Sequence, residues 1–328
     1  MLQNGNHNGK PNDSGLPLIS IIIPAYNVAQ YIGDALRSVF IQDFKNYEVI
    51  VVNDGSTDTP ELEKVLEPWR DKIQYICQEN RGISAARNAG LRVARGELIA
   101  LLDSDDVWHE GKLTEQLAFI KQGQFDMVYG NALLIGDVPW RAGTTFMDRS
   151  PSAGPVTLNS LLDLRVTVVV STVIMRKDLV QQVGGFDEED RNITEDFDLW
   201  LRLARTGARI GYQKKVLAEY RYRSDSVSAS RIKLHEAALR VLQKTRCGMT
   251  LSASEKEALD RTERRLQSIL MLEHGKTLIV NGEVAEARAV LAKARETNGS
   301  WKIPLALLAL RTCPGLVRRY LQKRHHSE

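Results

Sequence analysis

An α/β fold is predicted: a mostly parallel sheet flanked by helices, followed by a helical C-terminal appendage. Three observations predict it. Short β-branched apolar runs recur through the first hundred or so residues, and such runs fit strands buried on both faces. Helical patterns lie between them, and a strand–helix–strand rhythm closes into a parallel sheet with right-handed crossovers. From about residue 230 onward the strand signals nearly vanish, and Ala, Leu, Arg, Lys and Glu dominate. The expected organisation is a flexible segment over 1–16, an α/β domain over 17–230 and a helical region over 231–328.

Each element has its own warrant. Asn4 to Gly15 is polar, a lead-in without apolar periodicity. Leu18 to Ile23 is a strand stopped by Pro24, and Val28, Ile32, Leu36 and Phe40 then recur every four residues with Ala35 and Val39 alongside, the stripe of an amphipathic helix. Tyr47 to Val52 is a second strand ended by Asn53-Asp54-Gly55-Ser56; Ile73 to Cys77 is a third, Ile83 to Ala94 a helix, Glu97 to Leu102 a fourth strand. Beyond Asp126 the rhythm weakens: Met127 to Tyr129 and Val166 to Met175 are strand-like, Thr144 to Pro155 is a loop, and Glu195 to Arg205 is a helix. Gly282 to Arg288 opens a helix like half of a tetratricopeptide unit, but stacking needs several copies. Ile303 to Leu310 with Arg318-Arg319 and Lys323-Arg324 fits either a basic amphipathic surface for anionic lipid or, the favoured reading, a packed helix with a soluble basic end.

Composition narrows the function classes. The 328 residues carry 44 Lys and Arg against 41 Asp and Glu, net +3, too balanced for a dedicated nucleic-acid binder. Hydrophobic residues at 43% and charged residues at 26% exclude wholesale disorder. Cys77, Cys247 and Cys313 are odd in number and far apart, neither a disulfide framework nor a zinc site. The N-terminus lacks the apolar core of a signal peptide, and no window holds about 18 uninterrupted apolar residues. A cytoplasmic protein is expected. The sequon Asn192-Ile193-Thr194 beside an acidic helix start agrees, because a glycan there would obstruct a cleft.

The first strand does not lead into a glycine-rich dinucleotide cradle, and Gly275-Lys276-Thr277 lacks the upstream glycine of a P-loop. The chemistry falls instead to Asp103-Ser104-Asp105-Asp106, which follows the strand ending at Leu102. Ligands of open α/β sheets sit at the carboxyl ends of strands, and crowded carboxylates are relieved by a hard divalent cation. The bland alternative is a solvated acidic turn with Asp106 capping a helix. Asp54 ends the second strand, where a carboxylate can accept from a base or ribose, although Asn-Asp-Gly-Ser is mostly turn chemistry. Tyr26 offers a flat face for a base. Glu195-Asp196 opens a helix shortly after the turn Gly184-Gly185-Phe186-Asp187; carboxylates there are usually dipole partners, but one aimed across a cleft is a general base.

Six segments in order resemble glycosyltransferase family 2, with its GT-A fold. They are Ile21 to Asn27, Val52 to Asp58, Asn80 to Asn88, Asp103 to Asp106, Gly184 to Asp187 and Glu195 to Trp200, and the resemblance spans about Pro17 to Ser230. It implies an inverting transferase that moves a sugar from a nucleotide-diphospho-sugar to an acceptor hydroxyl in polysaccharide or glycoconjugate biosynthesis. Pro24, Tyr26, Asp54, Arg87, Asp103 and Ser104 would then contact the donor. Asp103 and Asp105 would hold Mg2+ or Mn2+, Asp196 would be the base, and Glu195, Trp200 and Arg223 would line the acceptor side or cleft, with Thr167 to Thr172 and the loop Trp140 to Pro155 nearby. The implied partners are the donor and a carbohydrate or lipid-linked acceptor; a place at the inner face of a membrane, with peripheral contact through the basic C-terminus, is the alternative to a wholly cytoplasmic location. One departure stands out: family members often carry a histidine in a stretch like tyrosine-arginine-x-histidine, where this chain reads Tyr220-Arg221-Tyr222-Arg223. Arginine cannot bind metal but pairs with phosphate. Two alternatives remain at this point: a non-catalytic sugar-nucleotide-binding scaffold acting through the tail, and nucleotidyl transfer, which leaves Glu195-Asp196 without a role.

Overall fold

The computed structural model describes residues 15–137, 143–189, 194–223, 230–297 and 302–325. The chain forms two compact units, Met1–Leu161 with Arg165–Asp225, and Leu162–Leu164 with Ser226–Glu328. Asn192-Ile193, most of Asn4 to Gly15, Trp140 and Ser224 to Ser228 lie outside the described residues.

Among the described residues, the first unit is built on an eight-stranded sheet. Its strands are β1 (Ile19–Ala25), β2 (Tyr47–Asp54), β3 (Ile73–Gln78), β4 (Leu98–Leu101), β5 (Val107–Trp108), β6 (Met127–Gly136), β7 (Ile174–Arg176) and β8 (Ile210–Tyr222). They run in the order β3-β2-β1-β4-β7-β6-β8-β5. The four on the β3 side are mutually parallel. Strand β7 is antiparallel to both neighbours, β6 and β8 are parallel, and β5 is antiparallel to β8. Helices α1 (Ile32–Phe40), α2 (Thr59–Leu66), α3 (Ile83–Val93), α4 (Lys112–Gly123), α5 (Phe146–Arg149), α6 (Leu158–Leu162), α7 (Lys177–Gln182) and α8 (Glu195–Arg205) join them.

The core sits on both faces of the central strands, as the isoleucine run implies: Ile19, Ile21, Ile22 and Ile23 are all fully buried. Ile21 and Ile23 join Ile32, Leu36, Val39, Val49 and Val51 in one cluster. Ile22 points the other way, where α3 comes so close that a Cβ on Gly90 would stand 2.6 Å from the Ile22 side chain.

Four expectations need correction. Strand β1 does not stop at Pro24 but runs through it, Pro24 pairing with Val52. The Ile22 carbonyl accepts from Leu102 on the β4 side, so the ring nitrogen of Pro24 faces the same side, beyond the last β4 pairing at Leu101; no ladder bond is lost there. The helix after Asp106 begins only at Lys112, with β5 between, so Asp106 is no cap. Val166 to Met175 is mostly not a strand: Val170–Thr172 is a 3-10 turn, because the Ser171 and Thr172 hydroxyls find partners that an extended ladder would not supply. Strand β8, thirteen residues long, was not anticipated, since Lys214-Lys215 interrupts its apolar pattern.

The second unit contains α9 (Arg231–Gly248), α10 (Ala253–Asn281), α11 (Val284–Thr297), α12 (Lys302–Thr312) and α13 (Pro314–His325). A capping box of Ser252 and Glu255 starts α10, and Gly282, at φ +93°, ends it, the left-handed stop that glycine makes without strain. Leu278, Ile279, Ala287, Leu291 and Leu310 form a small core. No described helix is long and apolar enough to cross a membrane. All three cysteines are free and exposed.

Candidate active site

The carboxyl ends of β1, β2 and β4 gather the predicted residues along one edge of the sheet. Tyr26 follows β1 directly and is 49% exposed. Asn27, at φ +54°, takes the left-handed conformation that asparagine tolerates better than most residues. Its side-chain oxygen accepts from the Thr57 backbone N–H at 2.8 Å and the Thr57 hydroxyl at 3.0 Å, tying the end of β1 to the loop after β2. Pro24 and Ser104 are buried.

Asp54 is oriented differently from the sequence-based expectation. Its carboxylate accepts from Gln78 Nε2 at 2.7 Å and from the backbone N–H groups of Arg81 and Gly82 at 3.0 and 2.8 Å. It therefore holds the loop that leads into α3. The next residue, Gly55, packs so tightly on that loop that a Cβ would stand 2.6 Å from the Asn80 nitrogen.

The centre of the site is Arg87, on α3. Its side chain is 1% exposed and lies over the Phe186 ring, 5.3 Å from the centroid. One Nη pairs with Asp103 at 2.7 Å and the other with Glu195. Burial alone would lower the guanidinium pKa, but Asp103 and Glu195 outweigh it and raise it. A guanidinium so enclosed positions its partners, its two Nη groups being committed to Asp103 and Glu195. The same helix fixes the Gly184 to Asp187 turn: Asn88 accepts from the Phe186 N–H at 2.9 Å and donates to the Phe186 carbonyl at 2.7 Å. On α8, Arg202 reaches the Val183 and Gly185 carbonyls at 2.7 and 2.8 Å. The turn before α8 is thus anchored from two sides. Trp200 is 2% exposed; it packs inside, not along the cleft as expected.

The acidic turn divides its labour. Asp106 is buried, accepting from the Ser171 hydroxyl and, at 2.8 Å, from the Arg221 backbone N–H. Burial, then Asp105 and Asp103, push its carboxyl well above the usual range. Asp103 donates its N–H to Ser171 Oγ at 3.1 Å. Asp105 receives Arg223 Nη1 at 3.3 Å, and burial followed by the Asp103 charge raises its carboxyl to about 6 against the pull of Arg223. Arg221 and Arg223 both lie over the Tyr31 ring, 5.1 and 5.0 Å from its centroid. Asp34 stands 3.6 Å from Arg221. Tyr31 and Asp34 escape sequence reasoning because they lie far along the chain from the acidic turn; Ser171 falls in the Thr167 to Thr172 segment expected near the acceptor, but its bond to Asp106 has no local signal.

Asp196 keeps part of its surface open. Burial of the carboxyl, then the neighbouring Glu195 charge, raises it to about 7, with Arg87 opposing. Carboxylates therefore flank Arg87 on two sides: Asp103 at the end of β4, and Glu195 with Asp196 beside it at the start of α8.

The family model described as glycosyl transferase family 2 matches residues 20–184. The chain belongs to glycosyl transferase family 2. Among relatives of this family 2 member, an uncharacterized glycosyltransferase of Rickettsia conorii is 34% identical over 71% of the chain, which covers 38% of that protein. The chain spans between about a third and two fifths of the length of the first three such relatives. The Escherichia coli UDP-Glc:alpha-D-GlcNAc-diphosphoundecaprenol beta-1,3-glucosyltransferase WfaP is 31% identical over 66% of the chain and 82% of its own length. Of solved structures, S. aureus TarS 1-349 in complex with UDP-GlcNAc has a TM-score of 0.58 at 21% identity, covering 94% of this chain and 91% of that one. The mannosyltransferase PcManGT from Pyrobaculum calidifontis, in complex with GDP-Man and Mn2+, has a TM-score of 0.59 at 21% identity, covering 96% and 87%. The family 2 member thus has the GT-A fold.

Proposed function

We propose that this protein transfers a sugar from a nucleotide-diphospho-sugar to a hydroxyl of a carbohydrate or lipid-linked acceptor, with inversion, in the synthesis of a surface polysaccharide or other glycoconjugate at the inner face of a membrane. The observation that carries the reading is Asp196 at the start of α8, beside the Glu195 that shares Arg87 with Asp103. A binding scaffold needs no carboxyl of that kind, and nucleotidyl transfer leaves it idle.

The acceptor O–H gives its proton to Asp196 as the oxygen attacks the anomeric carbon. The bond from that carbon to the diphosphate oxygen breaks on the opposite face, and the electron pair leaves with the nucleotide diphosphate. A single displacement inverts the centre. Asp196, raised to about 7, has the affinity for a proton that a base working near neutrality needs. Tyr26 offers its exposed ring to the base, and Asp54 supports that side through the loop it holds. Arg221 and Arg223, steadied on Tyr31, present positive charge to the diphosphate.

The acidic turn fits a hard cation. Asp105 is pushed up by burial and then by crowding with Asp103, and a divalent ion relieves both by supplying a partner for the charged form. Among the described residues no three His, Cys, Asp or Glu side chains form a ready-made cage; an ion there would need substrate phosphate and water to complete its shell. Asp103 and Asp105 would hold Mg2+ or Mn2+, which supplies positive charge to the departing diphosphate.

Calorimetry against UDP, GDP and dTDP, each with and without Mn2+, tests this on wild-type protein and Asp196→Asn. One nucleotide is expected to bind both proteins equally, while transfer from the matching sugar nucleotide falls about 10²–10⁴-fold in the variant. Normal turnover by Asp196→Asn, or no binding of any nucleotide, sinks the reading.

A further inference from the structure

The last two helices carry a surface that their own packing does not use. Leu307 and Leu310 of α12 and Val317 and Leu321 of α13 face the small core formed with α10 and α11. That satisfies the apolar stripe each short helix needs. Yet four more large side chains point outward: Leu305 is 52% exposed, Leu308 57%, Leu316 65% and Tyr320 59%. Helices that only had to pack on one side would carry polar residues at these places. Arg311 and Arg319 are exposed on the same two helices.

Charge says what this face is for. Between Thr297 and His325 the chain has no Asp or Glu, while Lys302, Arg311, Arg318, Arg319, Lys323 and Arg324 give it six positive charges. A second copy of the same surface is a poor occupant, because two such faces repel. A wholly soluble basic partner is excluded for the same reason, and a soluble polyanion makes no use of exposed leucines. An anionic bilayer satisfies both halves: basic side chains meet lipid phosphates while leucines and a tyrosine enter the interface.

We propose that α12 and α13 form a peripheral docking surface for an anionic membrane. This reverses the reading favoured from sequence, in which the segment was a packed helix with a soluble basic end: the helices are packed, and a second apolar face remains. The surface does not depend on the glycosyl-transfer reading, because the test below contains no sugar nucleotide.

The test is flotation of the full-length protein with vesicles of 7:3 phosphatidylcholine and phosphatidylglycerol, against phosphatidylcholine alone. Binding is expected on the anionic vesicles and to weaken with added salt. Arg311→Gln with Arg319→Gln should lower the partition roughly tenfold or more, given the usual weight of each basic residue near a charged surface. Leu308→Ser with Leu316→Ser should lower it while all six charges remain, which a purely electrostatic contact would not show. All four positions are exposed, and unchanged circular dichroism with an unchanged thermal midpoint verifies that the variants fold. Equal binding to both vesicle types, no binding to either, or self-association by light scattering without vesicle binding overturns the proposal.

Discussion

Arg87 and its carboxylates decide how the site titrates. Glu195 is held by the buried guanidinium and adds its charge to the burial that already raises Asp196 to about 7. A base must be ionised to work, so kcat/KM should fall as pH drops through about 7. Glu195→Gln removes the neighbouring negative charge and frees Arg87 to act on Asp196 more strongly. Both changes favour the ionised base, so the acid limb of the pH–rate profile should move to lower pH. A limb that stays in place, or moves up, contradicts this account of Asp196. Asp103 was legible as a carboxylate at the sheet edge, but not as the partner of an arginine 16 residues upstream, because nothing in a sequence states which buried charges share a counterion.

At the scale of elements, the Ser171 turn joins the acidic turn to the segment before β7. Its hydroxyl serves Asp106 and receives the Asp103 N–H, while its carbonyl accepts from the Trp108 indole. Ser171→Ala leaves a buried carboxyl oxygen without its donor, and should destabilise the protein by about 1–3 kcal/mol in denaturant titration. Donor affinity should weaken alongside, as Asp103 and Asp106 lose their shared backing; unchanged stability would show the turn held by other contacts. The strands β1, β2 and β4 were visible as apolar runs because burial on both faces leaves no polar alternation to confuse the pattern. Val166 to Met175 misled for the same reason: β-branched residues suit a strand, but Ser171 and Thr172 are committed to hydrogen bonds outside any ladder. Strand β8 was hidden by its lysines, which project from a half-exposed stretch, and Trp200 looked like a cleft aromatic when its helix buries it.

For the molecule as a whole, the carboxyl cluster makes stability depend on pH in a definite direction. Asp105 and Asp196 have folded-state values of about 6 and about 7, above the ordinary Asp value near 4. Groups raised on folding favour the folded state below their unfolded pKa, and that contribution is lost as pH rises through the folded value. Ligand-free protein should therefore lose stability from these groups between about pH 4 and 7. Asp105→Asn should reduce the loss by roughly 1–3 kcal/mol, read from paired melts at about pH 4 and about pH 8; an unaltered difference would show that Asp105 is not held under strain. The sharing of Arg87 between Asp103 and Glu195 has a further consequence, one of reciprocity. A donor that draws Asp103 away from the guanidinium changes the charge felt at the acceptor's end, and thermodynamic linkage then obliges the acceptor to alter donor affinity by the same factor. Two substrates that never touch before reaction would thus report on each other through one side chain, and the order in which they bind would be written into its allegiance.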